Sequence, residues 1–385
     1  MSEKLIVSKK SLEYAMKLAF LSTEASENTI NGHCLLEGGS TGIKVLATDK
    51  RNRLSQAKIS LASPVEFPVK FTVDPRKVLK LIKTVDFDHL TMAFDPKTLT
   101  VQFFLSDNEE TFISLPSFDP SLYVSISENF EKAFDLKTVN AGVFLGGLQF
   151  IRGFLDQKDR KYSNMYIKSG VMYGTNGNNK AGAFTSPDLK ELDELVFPIS
   201  TFPSIINLIE TLDLSDILIS TTSNHIFINS PAKDFIYGFT KIQFKIPKIP
   251  ITVDEPELAG WGVDKNAFLK KLSRLELSGD SKLGIKCEFE EEDKVHFSTV
   301  ADRMSKDTLN CKRIKESKPI SNTSFITECR PLETAMSQFG GNEIELYIQK
   351  KVIMYQKAEL EFLVQGNKIK KPFVGAAAVA LAREE

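Results

Sequence analysis

The sequence has few of the residues on which metal sites and disulfide frameworks depend. Its 385 residues include only four cysteines and four histidines. Because the cysteines are widely spaced and form no C-x-x-C pair, they argue against a zinc site and against a secreted disulfide scaffold. We therefore expect a reducing environment. The cysteines are Cys34, Cys287, Cys311 and Cys329.

Long hydrophobic runs are also lacking. The longest late run, FVGAAAVALA at 373–382, is rich in alanine and too short to span a bilayer, which needs about 20 apolar residues. The apolar stretch at the N-terminus is too short for a signal peptide. We expect a soluble, cytoplasmic protein with no membrane partner.

The chain has no excess of either charge, with 49 basic and 50 acidic residues and a net charge of -1. Any site for a polyanion must therefore come from charge that is segregated on one surface. A hydrophobic content of 42% over this length is enough for two or three globular domains.

Motifs for catalysis are missing as well. Each histidine lies in or beside a strand pattern without a second metal ligand nearby, so we predict structural roles for His33, His89, His225 and His296. The run GGSTGIK from Gly38 lacks the spacing of a phosphate-binding loop, and a strand pattern follows it. We predict no catalytic site, no metal and no cofactor; the alternative is a hydrolase whose site is scattered among the strands.

The clearest positive feature is a short helix predicted over 74–85. Asp74 can cap its first turn, and Pro75 suits the first helical position. At 100° per residue one face is apolar, formed by Val78, Leu81, Ile82 and Val85. The opposite face is basic, formed by Arg76, Lys80 and Lys83, with Lys77 at the flank. The apolar face requires a core, and the basic face can bind anions.

The same order of helix and strand patterns recurs along the chain. Val78 and Leu79 align with Ile205 and Ile206, 127 residues later, and a third helix follows about 126 residues further on. We predict an α+β fold of three similar domains, each with antiparallel sheets and two helices. The predicted domains are 1–126, 127–250 and 251–385.

Basic helix faces recur with unequal strength in these repeats. The third repeat places Lys270, Lys271 and Arg274 opposite an apolar arc, and its last helix adds mainly Arg330. The middle repeat offers little beyond Gln149 and Arg152. If the helices of all three repeats share one surface, that surface can bind a phosphate backbone without reading the base edges.

Seven short stretches, taken in their order and spacing, resemble the bacterial-type DNA sliding clamp, the beta subunit of DNA polymerase III. These are VLATD at 45–49, FTVDPRKVLKLI at 71–82, LQFIRGFL at 148–155, TNG at 175–177, FPIS at 197–200, NTSF at 322–325 and AAAVALAREE at 376–385. The resemblance implies a head-to-tail homodimeric ring of six domains that encircles duplex DNA. It also implies a processivity factor for replication without an active site, with the replicative DNA polymerase and the clamp loader as partners.

The resemblance implies two sets of site residues. The DNA-facing set is Lys9, Lys10, Lys17, Arg76, Lys77, Lys80, Lys83, Gln149, Arg152, Lys265, Lys270, Lys271 and Arg274. The set that would form a pocket for partner peptides is Leu155, Thr175, Gly177, Pro247, Asn322, Phe325, Val379 and Leu381. Lys180 stands where the family usually has an apolar residue, and the chain ends in Arg383, Glu384 and Glu385. Both departures bear on the peptide specificity, and the low likeness elsewhere in the chain suits a divergent or phage-encoded member.

The ring interface is expected at a sheet edge near 98–105 of one chain and near Leu275 and Leu277 of the other. A different class of function stays open. The chain could be a β-rich structural or interaction protein that forms no ring, such as a virion component, in which the basic helix faces are simply solvated.

Overall fold

The computed structural model describes most of the chain. The described residues are 4–26, 28–66, 68–105, 111–123, 134–177, 180–232, 234–242, 260–278, 285–290, 294–299, 306–315, 323–327, 329–339, 342–352, 358–367 and 374–382.

One order of elements occurs three times: a strand, a helix, four strands, a helix and three strands. The first copy consists of β1 Lys4–Ser8, α1 Lys9–Ser22, β2 Cys34–Gly38, β3 Gly42–Thr48, β4 Arg53–Ser60, β5 Val69–Val73, α2 Pro75–Ile82, β6 His89–Asp95, β7 Thr100–Phe104 and β8 Phe112–Pro116. The second consists of β9 Phe134–Asn140, α3 Ala141–Arg152, β10 Asn164–Lys168, β11 Val171–Thr175, β12 Lys180–Thr185, β13 Leu195–Pro198, α4 Phe202–Thr211, β14 Asp216–Thr221, β15 His225–Asn229 and β16 Phe235–Thr240. The third consists of β17 Gly260–Asp264, α5 Lys265–Ser278, β18 Ile285–Glu290, β19 Lys294–Thr299, β20 Lys306–Lys315, β21 Thr323–Thr327, α6 Cys329–Ser337, β22 Glu343–Val352, β23 Ala358–Asn367 and β24 Val374–Ala382.

The second helix of each copy begins at Pro75, Phe202 or Cys329, so both intervals are 127 residues. All strand pairs between these elements are antiparallel, and each copy contains two helices, which confirms the predicted α+β class. The predicted domain boundaries fall within 124–133 and 243–259, outside the described residues, and remain a prediction.

The chain divides into two compact units, and the middle copy contributes to both. The first unit comprises 1–141 and 203–242. It contains a four-stranded sheet in the order β1-β6-β7-β8 and an eight-stranded sheet in the order β5-β2-β3-β4-β16-β15-β14-β9. The sheet of eight therefore combines four strands of the first copy with four of the second.

Helix α1 packs on β3 and β4 of the larger sheet and lies beside α2. Its buried side chains Leu12, Ala15, Met16 and Ala19 are spaced by three or four residues, as the helical period requires. The hydroxyl of Ser8 accepts a hydrogen bond from the backbone amide of Ser11 and caps the first turn.

The second unit comprises 142–202 and 243–385 and contains one twelve-stranded sheet. The strand order is β13-β10-β11-β12-β24-β21-β18-β19-β20-β17-β22-β23, and β23 also pairs with β24. Helices α5 and α6 pack together on the strands of the third copy. Phe268 of α5 meets Phe297 edge to face, with ring centroids 4.9 Å apart.

Neighbouring copies are joined by one recurring strand pair. In the first unit β4 pairs with β16, and in the second unit β12 pairs with β24, both antiparallel. In each case the fourth strand of one copy meets the last strand of the next copy. The joint gives both strands a partner on their outer edge.

Candidate nucleic-acid interface and peptide site

Helix α2 has the two faces that its sequence predicts. Val78, Leu81 and Ile82 are buried, whereas Lys80 and Lys83 are exposed. Within the described part of the chain the side chains of Lys80 and Lys83 make no hydrogen bond or ion pair, and the same is true of the exposed side chain of Lys10 on α1. These three ammonium groups are available to an anion in solvent.

Arg76 lies on the same helix but has partners of its own. Its Nε lies 2.8 Å from a carboxylate oxygen of buried Asp74, which also accepts a hydrogen bond from the Arg76 backbone amide. The guanidinium also donates to the carbonyl oxygens of Ala25 and Gly32. Arg76 therefore ties the loop before β2 to the first turn of α2.

Two other lysines of the predicted DNA-facing set donate hydrogen bonds to backbone carbonyls near the C-terminal ends of helices. The ammonium of Lys9 donates to the carbonyl oxygen of Val85, just after α2, and that of Lys265 donates to the carbonyl oxygen of Phe339, just after α6. The positions are equivalent in the first and third copies. Since carbonyls at helix C-termini carry partial negative charge, a cation there is stabilising.

The remaining bases of the first and third copies differ in their exposure and partners. Lys17 pairs with Glu13 at 2.8 Å, one turn away on α1. Lys270 of α5 is exposed, and Lys77 is partly exposed.

Asp307 on β20 is a feature that the sequence analysis missed. Its carboxylate pairs with Lys271 and lies 3.8 Å from a guanidinium nitrogen of Arg274. Partial desolvation acts to raise the pKa of Asp307, but the hydrogen bonds from Lys271 and from a backbone amide hold that pKa below its usual value. The partner lies on a strand far along the sequence, so no helical spacing could reveal it.

The middle copy presents little charge. Gln149 and Arg152 of α3 are exposed, and α4 contains one charged residue, the exposed Glu210. The loop after α3 contributes three exposed bases that the sequence analysis did not single out: Lys158, Arg160 and Lys161. The charged run DQKDRK was the available signal.

The predicted peptide-site residues on β11 and its turn lie together. Leu155 is buried and packs so closely on Gly174 that a Cβ there would lie 2.5 Å from Leu155 Cδ2. Thr175 Oγ1 donates to the carbonyl oxygen of Lys180 and accepts from the amide of Gly177. Gly177 has a φ of +78° and faces the ring of Tyr162, so glycine is required there.

Strand β24 brings the chain's last described segment to this turn. The backbone of Val379 pairs with that of Lys180, and the backbone of Leu381 pairs with β21, the strand that contains Phe325. Pro247 and Asn322 lie outside the described residues. The ammonium of Lys180 is half-buried and donates to the carbonyl oxygen of Gly153 at 2.7 Å.

The free sheet edge of the first copy lies one strand beyond the position that the sequence predicts. Strand β7, within 98–105, is paired on both sides by β6 and β8. The edge strand is β8, where Phe112 is 47% exposed and Ile113 is 38% exposed. At the other predicted contact, Leu277 is 89% exposed but Leu275 is buried on the inner face of α5.

Among the described residues, no three histidine, cysteine or acidic side chains lie close enough to hold a metal ion. Likewise no helix in the described ranges is long and apolar enough to cross a membrane.

The architecture matches solved structures along the whole chain. The DNA polymerase sliding clamp of Pseudomonas aeruginosa matches with a TM-score of 0.76 at 12% identity, covering 99% of this chain and 100% of that one. The sliding clamp of Caulobacter crescentus gives 0.76 at 12% identity over 100% of both chains. The DNA polymerase III beta subunit of Thermotoga maritima gives 0.72 at 11% identity, over 99% and 100%.

The chain has the sliding-clamp fold. No protein-family model matches the sequence, and no curated protein does. The clamp fold is therefore visible in the tertiary structure at a level of identity where these sequence comparisons find nothing.

Proposed function

We propose that this protein is a DNA sliding clamp: a ring of two chains, joined head to tail, that encircles duplex DNA and tethers the replicative polymerase. It has no catalytic site of its own, acts in the cytoplasm and is placed on DNA by a clamp loader. The fold supports this proposal, and one feature of the sheets carries it.

That feature is the recurring joint between copies. Strand β16 pairs with β4 and β24 pairs with β12, so the last strand of a copy meets the fourth strand of the copy before it. One more joint of this kind would pair β8 with β20. In the described part of the chain β8 pairs only with β7, and Lys306–Asn310 of β20 pair only with β19.

A second chain can complete this joint. The first copy of one chain then meets the third copy of the next, which is a heterologous contact that closes when the rotation suits two chains. Exposed Phe112 and Ile113 on an uncovered edge strand support a partner there, because such edges are otherwise prone to aggregation. The equivalent strand β16 buries Phe235, Tyr237 and Phe239.

Weak contact with DNA suits a mobile tether. Exposed lysines attract phosphates without regard to sequence, whereas one bidentate contact to a base, about 1 to 3 kcal/mol, would hold the ring in place. Persistence on DNA then comes from closure of the ring. The tethered polymerase gains a high effective concentration at the template.

The turn at 175–180 and β24 form the proposed docking place for peptides of the polymerase, the loader and other clients. The contacts around Leu155, Thr175 and Gly177 support this assignment. Half-buried Lys180 makes this docking site less apolar and is expected to influence which peptide it prefers.

The edge joint has a direct test. Phe112→Asp with Ile113→Asp is expected to convert a dimer into monomers in sedimentation. A second chain that paired with β8 would have to cover two charged carboxylates. Leu122→Asp is the matched control, since Leu122 is 65% exposed but outside the strand. A parental protein that stays monomeric at all concentrations would favour the non-ring structural protein instead.

Encirclement has a separate test. Ser114→Cys on β8 and Asn310→Cys on β20 allow a thiol crosslinker to seal both joints of a dimer that assembles from diluted monomers in the presence of nicked circular DNA, so that closure around the DNA requires no loader. Cys34, Cys311 and Cys329 are buried, and Cys287→Ser removes the remaining native thiol. We expect sealed rings to stay on circular DNA in detergent and to be lost once the DNA is linearised; equal loss before linearisation would refute encirclement.

A further inference from the structure

Basic charge is distributed very unevenly among the helices of the three copies. Counting Lys83 directly after α2, the helices of the first copy carry seven bases and one acid, a net charge of +6. Those of the second copy carry only Arg152 and Glu210, a net charge of zero. Those of the third copy carry five bases and two acids, a net charge of +3.

Side-chain contacts act in both the first and the third copy, and in the first Arg76 pairs with Asp74 and Lys17 with Glu13. In the third copy Asp307 lies beside Lys271 and Arg274, while Glu276 pairs with Arg330 at 3.0 Å. Much of that copy's positive charge is therefore compensated locally. In the first copy, by contrast, Lys10, Lys80 and Lys83 are exposed and make no ion pair in the described part of the chain.

The middle copy is neutral where it could have been basic. A Cβ at Gly146 of α3 would meet no atom within 4 Å, so the position is open to a side chain. Gln149 and Asn207 are exposed and uncharged, and Glu210 adds a negative charge. The loop after α3 holds three bases and two acids, which leaves only +1.

We propose that the first copy supplies most of the attraction for the phosphate backbone, the third copy a smaller part, and the middle copy almost none. This inference rests on the proposed function, because it takes the helices to face the duplex. Each chain would then attract DNA mainly through its first copy. The helices of the middle copy, whose net charge is zero, would act as a neutral spacer between the basic copies of the ring. Such spacing limits the number of phosphates engaged at once and keeps the ring mobile.

Counterion release provides the measurement. The slope of log affinity against log salt falls by about 0.9 for each phosphate that the protein no longer neutralises. Using fluorescence anisotropy with a short duplex, we expect Lys10→Gln, Lys80→Gln and Lys83→Gln together to lower the slope by the equivalent of two to three phosphates. The matched triple Arg152→Gln, Lys158→Gln and Arg160→Gln is expected to change it by the equivalent of less than one.

Equal decreases in slope from these two triples would overturn the inference. The third-copy pair Lys270→Gln and Arg274→Gln is expected to give an intermediate decrease. Because each triple removes three surface charges away from the core, we expect unchanged unfolding curves, which confirm that the comparison is between folded proteins.

The converse experiment adds charge to the spacer. Gly146→Lys, Gln149→Lys and Asn207→Lys together are expected to steepen the salt slope by about 0.9 for each further phosphate neutralised and to slow diffusion along DNA. Ser60→Lys, Thr138→Lys and Ser223→Lys, at exposed positions outside the helices, form the control.

If the two lysine sets have equal effects, the helices of the middle copy do not face DNA and the inference fails. The sealed-ring experiment separates this failure from that of the proposed function. Retention on circular DNA with equal lysine effects refutes only the spacer, whereas loss from circular DNA refutes the clamp itself.

Discussion

The carboxylate of Asp74 lies 2.8 Å from Nε of Arg76 and 3.0 Å from its backbone nitrogen, so one residue pair both caps α2 and forms an ion pair. The Asp74 side chain is 1% exposed and that of Arg76 is 16% exposed. Since the guanidinium also holds the carbonyls of Ala25 and Gly32, its geometry is that of a structural anchor.

Arg76→Gln is therefore expected to lower the free energy of unfolding by about 2 to 3 kcal/mol, because it leaves a buried carboxylate without its cation. Urea unfolding measures this change. Lys80→Gln and Lys83→Gln, exposed on the same helix, are expected to stay within about 0.5 kcal/mol of the parent. A stable Arg76→Gln protein with weaker DNA binding would instead make Arg76 a phosphate contact.

Adjacent glycines on α3 predict opposite effects of the same substitution. Gly146→Ala is expected to stabilise the protein by about 0.5 to 1 kcal/mol, because the position is open and alanine favours the helix. Gly147→Ala is expected to destabilise it by about 1 to 3 kcal/mol, since the new methyl would lie 2.3 Å from Met172 Sδ and 3.1 Å from Phe184. Thermal unfolding of both variants checks the pair; equal shifts would mean that the neighbours of Gly147 relax without cost.

Buried Tyr237 predicts a loss of stability at alkaline pH. Burial raises the pKa of Tyr237 to about 12, partly offset by the nearby hydroxyl of Ser204 and by the charge of Arg53. The stability that the protonated Tyr237 contributes to the folded protein is fully present below the unfolded-state pKa near 10, and it is lost as pH rises from 10 to 12. It amounts to roughly 2 to 3 kcal/mol.

Tyr237→Phe is expected to reduce the pH dependence of urea unfolding between pH 10 and 11 while leaving that between pH 7 and 9 unchanged. Tyr14 and Tyr173, whose pKa values burial also raises, maintain part of the alkaline slope. If the slope of the variant equals that of the parent, Tyr237 ionises as freely in the folded protein as in the unfolded chain.

Asp307→Asn is expected to strengthen DNA binding, because it releases Lys271 and Arg274 from their shared carboxylate. The salt slope should steepen by about 0.9 for each base that then reaches a phosphate. A partly exposed pair costs little, so the loss of stability should stay within about 1 kcal/mol. Glu191→Gln, an exposed change of equal charge, is the control, and equal effects of the two would assign the gain to net charge alone.

Local sequence patterns predicted the helices and strands well where the capping residues and the apolar face lie within one short segment. The cap at Asp74, the proline at the first turn and the buried arc of α2 all follow from neighbouring residues. The interval of 127 residues between second helices follows from the same apolar spacing repeated along the chain. The sheet edge was predicted one strand too early, because the residues of β7 do not reveal that β8 pairs with its other side.

By itself, the sequence determined the α+β class, the repeated order of elements and which helix faces are apolar or basic, since these depend on side-chain periods within single segments. Only the tertiary structure decided which bases have partners. It showed Arg76 held by Asp74 and Lys271 held by Asp307, and it showed which strands join neighbouring copies. Asp307, the carbonyls of Ala25 and Gly32 that Arg76 contacts, and the strands that join the copies all lie far along the chain from their partners, so no periodic pattern within one segment records those contacts.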